Sequence, residues 1–204
     1  MVTLSTSRFT AWLSLLAAAL VGCGGGSERG GEPAGPHAAA AAFFTAIERL
    51  DTTALRNAFA SDADPALVDA LATQLDASRR LRAAAIRKLG RDSARVADGD
   101  WSAASAWRKS LRQASVEPDD QGVVLRPEQG PPMRLRQENR LWKVVAYPAD
   151  AAPQEVDRAV RLLNELTKAL DEATARIIAD ELKDVRSVRM AVGRRAVDAL
   201  VSFQ

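Results

Sequence analysis

The chain has 204 residues, of which 47% are hydrophobic and 26% charged, and this is the composition of a globular protein, not a disordered one. It contains one cysteine and one histidine, which excludes a disulfide framework and a Cys/His metal cluster. With 28 basic and 26 acidic residues the net charge is +2, too small a surplus for a protein dedicated to binding nucleic acid.

The first 23 residues have the pattern of a bacterial export signal. Arg8 is the only charged side chain of residues 1–10, and an apolar run follows over 11–21. That run is about half the length that spans a bilayer, which favours a cleaved signal peptide over a transmembrane helix. It ends in Leu20-Val21-Gly22-Cys23, which resembles the lipobox of bacterial lipoproteins at all four positions.

The lipobox resemblance implies a membrane anchor. In that family the signal is cut before the cysteine, so residues 1–22 would be the signal peptide, with Gly22 and Cys23 at the cleavage site. Cys23 would carry a diacylglycerol thioether and an acylated amino group, and two or more acyl chains anchor a protein stably. Gly24 stands where Asp would retain the protein in the inner membrane, so the family's sorting rule implies the outer membrane, facing the periplasm.

A linker is predicted after the cysteine. Residues 24–37 are rich in Gly and Pro and lack large apolar side chains. This composition is typical of a flexible tether, so residues 23–37 are interpreted as the lipidated cysteine and its linker. His37, at the end of this stretch, is expected to be solvated.

Two helices are predicted over 38–60. Phe43, Ile47 and Leu50 follow one another at helical spacing and define one apolar face. Asp51 then offers a side-chain oxygen to cap a second, short helix.

A third helix is predicted from Asp64, as its N-cap, through Pro65 to Gly90. Four basic side chains lie on its polar face: Arg80, Arg87, Lys88 and Arg91. Such a face is most often solvated, but it also suits anionic headgroups or an acidic partner. These four residues are the candidate partner surface.

The hydrophobic period changes from 3.6 to 2 near residue 111, which predicts strands. The candidate strands are 111–117, 122–126, 133–137 and 141–147. Their connections are too short for parallel pairing, so they should form an antiparallel meander. In the third strand Met133 and Leu135 alternate with Arg134 and Arg136, which predicts one buried face.

The helical period returns after residues 148–153 and predicts a hairpin of two helices over 154–201. Its first helix has seven apolar positions at steps of three and four: Val156, Ala159, Leu163, Leu166, Leu170, Ala173 and Ile177. Its second helix repeats the pattern at Val185, Val188, Val192, Ala196 and Ala199. These apolar stripes must be buried, either against each other and the domain or against a cell-envelope protein partner. The predicted fold is therefore α+β, with N-terminal helices on a small antiparallel meander and a C-terminal helical hairpin.

Three segments resemble nuclear-transport-factor-2-like domains. Phe43-Phe44-Thr45-Ala46-Ile47, followed by Asp51 and Leu55-Arg56-Asn57-Ala58-Phe59-Ala60, resembles their opening helices. Arg140-Leu141-Trp142-Lys143-Val144-Val145 resembles their late strand, although Asn139-Arg140 replaces the usual Gly-containing turn. The resemblance covers 38–147 and implies a curved sheet around a conical pocket in a domain over 38–148. The family has more strands than the four found here.

Some members of that superfamily are isomerases or cyclases that place Asp, His or Tyr inside the cone. Here the histidine falls in the predicted tether and Tyr147 ends the last strand. The acidic residues of the strand region lie at turns: Glu117, Asp119, Asp120, Glu128 and Glu138. No Gly-x-Ser-x-Gly elbow and no Ser-His-Asp arrangement can be formed in the folded region.

Two further groups of residues were weighed as sites. Asp98-Gly99-Asp100 lacks the ligand series of a calcium-binding loop. Trp101, Trp107 and Trp142 could line a pocket or stack on a sugar, but isolated tryptophans in a small domain are usually core.

The sequence therefore predicts a membrane-anchored envelope lipoprotein that is a non-catalytic binding or interaction module, with no metal, cofactor or nucleic acid. The alternative is a cone-fold enzyme of the isomerase or dehydratase type that acts on a small apolar substrate.

Overall fold

The computed structural model describes residues 35–97, 102–128, 130, 132–145 and 153–202. Within these ranges helices flank one antiparallel sheet, and the predicted α+β class is confirmed. The elements in chain order are α1 (Pro36–Arg49), α2 (Thr52–Ala58), α3 (Pro65–Leu89), a 3₁₀ helix (Arg91–Ala97), α4 (Ser102–Arg112), β1 (Ser115–Asp119), β2 (Gly122–Arg126), β3 (Met133–Glu138), β4 (Leu141–Val144), α5 (Pro153–Ile178) and α6 (Val185–Ser202).

The ends of α2 and α3 follow from local chemistry, as predicted. The side chain of Asp51 accepts a hydrogen bond from a backbone N–H in the first turn of α2. Asp64 accepts one from the N–H of Leu67 at 3.0 Å, and Pro65 occupies the first helical position of α3. Gly90, with φ of +91°, ends α3 in a conformation that favours glycine.

The tether predicted over residues 23–37 is too long by two residues. Helix α1 begins at Pro36, so His37 belongs to the folded domain. Its Nε2 atom donates a hydrogen bond to the carbonyl oxygen of Ala114, 3.0 Å away. The solvated histidine predicted from the sequence is therefore wrong, because the end of α4 returns to the start of α1 and supplies an acceptor that local composition does not reveal.

The first predicted strand begins too early. Residues 111 and 112 complete α4, and β1 starts at Ser115. Trp107 and Leu111 are both buried and lie four residues apart, one above the other on a helix face. Helical packing therefore continues to residue 112 before the period changes.

The strands form a meander in the order β1-β2-β3-β4, with every neighbouring pair antiparallel. Leu125, Met133, Leu135 and Val144 are buried on its inner face, while Arg134 and Arg136 are only partly covered, as the alternation predicts. At the β4 edge the N–H of Ala60 donates to the carbonyl oxygen of Val144 at 2.9 Å. This bond fastens the segment after α2 to the sheet.

The C-terminal hairpin is covered by the rest of the chain. Helix α5 packs along α3, and α6 packs on α5 and the 3₁₀ helix. One buried cluster joins α1, the sheet and the first half of α5, and a second joins the C-terminal half of α3 to the end of α5 and to α6. Of the predicted α5 stripe, all but Val156 are fully buried, and Val156 packs against the first cluster.

Candidate functional site

The predicted acylation site lies outside the described residues. This holds for Cys23 and Gly22, and also for Trp101, Tyr147 and the turn Asp98-Gly99-Asp100. The candidate sites with described geometry are therefore the α3 basic face, the interior of the domain, the turns of the sheet and the outer surface of the hairpin.

The four basic residues of the α3 face do not act as one surface. Nη2 of Arg80 lies 2.8 Å from Oδ1 of Asp171 on α5, and Nζ of Lys88 lies 3.0 Å from Oδ1 of Asp180 just after it. Arg87 and Arg91 are exposed. Half of the predicted partner surface is thus engaged in ion pairs between α3 and the α5 region, although exposed pairs of this kind stabilise a fold by only about 0–1 kcal/mol.

Aromatic side chains occupy the space between the helices and the sheet. Trp107 is 1% exposed and meets Phe44 edge to face, with ring centroids 5.1 Å apart. Phe43 is buried and meets Phe59 in the same way at 5.5 Å. Trp142 is half-buried on β4. Trp107 is therefore a core residue, in agreement with the structural alternative weighed from the sequence.

The acids of the sheet region lie at its surface, most of them beside arginines. Glu117 pairs with Arg126 across β1 and β2, and Asp119 lies 2.7 Å from Nε of Arg134. Wherever the structure describes the exposure of an Asp or Glu side chain, that residue is at least partly exposed. Glu117 and Asp119 therefore link parts of the sheet through their ion pairs with Arg126 and Arg134.

One charged cluster links the sheet to the segment before α3. Arg136 on β3 donates to both carboxylate oxygens of Asp62, at 2.7 and 2.8 Å, and also pairs with Glu138. Glu138 accepts from the backbone N–H and the hydroxyl of Ser61, at 3.0–3.1 Å. Sequence analysis missed this cluster because its two halves, Ser61 with Asp62 and Arg136 with Glu138, are more than 70 residues apart along the chain.

The cluster shifts the protonation of its members. The hydrogen bond from Arg136 lowers the pKa of Asp62. Burial alone would raise the pKa of Glu138, but hydrogen bonds from Arg136 and Ser61 bring it below its ordinary value. The same bonds raise the pKa of Arg136. All three groups are therefore held in their charged forms, as in a structural ion network.

An open groove of about 710 Å³ runs between α5 and α6 on the outer side of the hairpin. Its charged side chains include two ion pairs: Arg195 with Glu172 at 3.0 Å, and Lys168 with Glu165 at 2.6 Å. A second depression of about 520 Å³ continues along the same helices past Met190. The groove is open and its acidic and basic side chains are equal in number, so it is not an enclosed pocket.

Helix α6 carries apolar residues on two faces. The predicted stripe, with Val188 fully buried and Ala199 nearly so, faces the core. On the opposite face Met190, Val197 and Val201 are 62%, 58% and 63% exposed. The sequence signal for this outer face is a second apolar series at steps of seven and four, which the inner stripe masks because that stripe alone is enough to predict the helix.

Comparison with known protein families, curated proteins and solved structures found no match to this chain. Among the described helices none is both long and apolar enough to cross a membrane. No group of three or more His, Cys, Asp or Glu that could hold a metal ion occurs in that same part of the chain.

Proposed function

We propose that this chain is a bacterial envelope lipoprotein, anchored through acylated Cys23, whose folded domain is a non-catalytic binding or interaction module facing the periplasm. The observation that carries the proposal is Leu20-Val21-Gly22-Cys23 at the end of a short apolar run, with Cys23 the only cysteine of the chain. Gly24 after it favours the outer membrane over the inner membrane.

The geometry of the domain supports a module that binds without catalysis. Its described carboxylates are at the surface, most of them next to basic side chains, and aromatic and aliphatic side chains occupy the space between helices and sheet. The resemblance of 38–147 supports the further proposal that residues 38–148 form a nuclear-transport-factor-2-like domain. The C-terminal hairpin, residues 154–201, presents an open groove and a second apolar face, and we propose it as the segment through which the module makes contact.

Mass spectrometry of the amino-terminal peptide tests the anchor. In a bacterial host we expect the mature chain to begin at Cys23, with a diacylglyceryl group on its sulfur and an acyl group on its amino nitrogen. A Cys23→Ser variant should lack both groups and keep residues 1–22. An unmodified Cys23 that is still preceded by Gly22 in the wild-type protein would contradict the proposal.

A further inference from the structure

The exposed face of α6 combines an apolar stripe with arginines on both sides. At 100° per residue, Met190, Val197 and Val201 lie within about 40° of one another around the helix. Arg186 and Arg194 project about 40° to either side of Met190 by the same geometry. These five residues form what we call the outer face of α6, and all five are exposed.

Neither arginine of this face forms an ion pair with any of the described residues, whereas Arg195 pairs with Glu172. Arg194 lines the second depression, and the exposed carboxylate of Asp198, one helical turn later, lines it too without an ion pair to Arg194. Arg186 also lies in the first turn of α6, where the helix dipole disfavours a positive charge. That turn is capped instead by Asp184, which accepts from the N–H of Ser187 at 2.7 Å. Arg186 therefore does not stabilise the start of α6, and its positive charge can interact with an external anion.

We propose that the outer face of α6 lies on an anionic phospholipid surface. The arginines would contact lipid phosphates while Met190, Val197 and Val201 enter the boundary between headgroups and acyl chains, as in interfacial helices. The proposal rests on the lipid anchor proposed above, because acyl chains that already hold the protein at the membrane raise the effective concentration of this face at the lipid.

Charge and size favour lipid over the other occupants. A second copy of the chain would bring arginines of one outer face against those of another, and like charges disfavour that contact. A stable protein interface buries about 800 Å² on each partner, far more than three aliphatic side chains supply. A membrane contact needs less buried area, because the acyl anchor already supplies most of the affinity for the membrane.

The experiment uses the full chain, processed in a bacterial host, with Val197→Cys as the position of a nitroxide label. If Cys23 is acylated, the engineered cysteine is the only free thiol. Accessibility of the label to a water-soluble nickel chelate is measured in detergent, on phosphatidylcholine vesicles and on vesicles that also contain phosphatidylglycerol. We expect accessibility to fall several-fold on the anionic vesicles alone. Ala83→Cys, on an exposed position of α3, should remain accessible in every condition.

Charge variants identify the groups that carry the contact. Each arginine near an anionic surface strengthens binding about fivefold, so Arg186→Gln with Arg194→Gln should weaken docking roughly 25-fold. The matched pair Lys109→Gln with Arg112→Gln removes the same charge from exposed positions on α4 and should leave the label protected.

Three outcomes would overturn the inference. The first is a label at position 197 that stays fully accessible on anionic vesicles. The second is protection in detergent that grows with protein concentration, which would assign the face to a second copy of the chain. The third is protection that requires an added envelope protein, which would assign the face to that protein. Labelling of two thiols per chain would instead show that Cys23 is unmodified, so failure of the anchor and failure of the α6 contact are distinguished in one preparation.

Discussion

The arginines of this chain differ in how their charge is compensated. Arg136 is 22% exposed and bonded to two carboxylates, so its position is fixed by the fold. Arg194, on the outer face of α6, is exposed and has no ion-pair partner in the described part of the chain. An arginine bonded to carboxylates contributes to the stability of the fold, whereas an exposed arginine without an ion pair is solvated unless a partner binds it, as we propose for Arg194. The two kinds should therefore respond to different measurements.

Arg136→Met should destabilise the fold in a pH-dependent way. The substitution keeps an aliphatic side chain but leaves Glu138 without the guanidinium that pairs with it. We expect the free energy of unfolding to fall by about 1 kcal/mol at pH 7. The loss is small because Asp62 is more than half exposed and solvent screens part of the network. The pKa values of Asp62 and Glu138 are lowered in the folded protein, so as pH falls the unfolded chain takes up protons first. The stability from the network is complete above about pH 4.5 and is lost as pH falls through the lowered pKa values.

Urea unfolding of the wild type and of Arg136→Met between pH 7 and pH 3 measures this effect. The difference in unfolding free energy should shrink steadily below about pH 4.5. Arg126→Met removes an ion pair in which both side chains are about half exposed, and it should change stability by less than about 0.5 kcal/mol. A difference for Arg136→Met that is the same at both ends of the pH range would refute the electrostatic role.

Gly130→Ala should lower the free energy of unfolding, because Gly130 lies against the buried side chain of Trp107. Gly130 has φ of +93°, and an added Cβ would lie 2.8 Å from Cγ of Trp107 and closer still to its Cδ1. Backbone strain and overpacking together should cost roughly 2–4 kcal/mol. Gly193→Ala is the matched control, since an added Cβ there meets nothing within 4 Å and α6 should gain up to about 1 kcal/mol. Equal stability of the two variants in thermal unfolding would show that the Trp107 contact is absent in solution.

At the scale of elements, α5 should be a structural part of the domain. Leu163 is 1% exposed and belongs to the cluster shared by α1, the sheet and α5. Leu163→Ala should therefore lower the unfolding free energy by roughly 2–5 kcal/mol. Ile178→Ala, at the half-exposed end of the same helix, should cost much less. If both variants unfold at the wild-type urea concentration, α5 does not contribute to the folding core.

Sequence analysis recovered the elements whose causes are local. The caps at Asp51 and Asp64, the end of α3 at Gly90 and the alternation of Met133 and Leu135 all follow from neighbours a few residues away. The features it missed depend on distant partners. Examples are the hydrogen bond of His37 to Ala114 and the pairing of Arg136 with Asp62, for which nothing in local composition supplies a signal.

The boundary between α4 and β1 was missed for a related reason. Leu111 reads equally well as the first residue of an alternating strand and as the residue one turn after Trp107 on a helix. Only the packing of Trp107 against Phe44 and of Leu111 in the same cluster decides between the two. Short apolar runs at an element boundary are ambiguous until their tertiary neighbours are known.

At the scale of the molecule, the proposed anchor and the outer face of α6 can act together. Twelve residues, 24–35, separate Cys23 from the first residue of α1. A segment of this length spans at most about 40 Å, and a flexible one has an end-to-end distance near 20 Å. If these residues form the proposed flexible tether, that distance would allow the domain to turn its α6 side toward the membrane while the proposed acyl chains remain inserted. The two contacts should therefore be separable by conditions that weaken only one.

Salt should release α6 while leaving the protein on the membrane. The Debye length falls from about 10 Å at 0.1 M to about 3 Å at 1 M, which screens the attraction between the arginines and lipid phosphates. Burial of the acyl chains is apolar and is not weakened in this way. On anionic vesicles in about 1 M sodium chloride, the label at Val197→Cys should regain its accessibility to nickel while the protein still floats with the vesicles. A label that stays protected would mean that the α6 contact is purely apolar. Release of the whole protein would mean that no acyl anchor holds it.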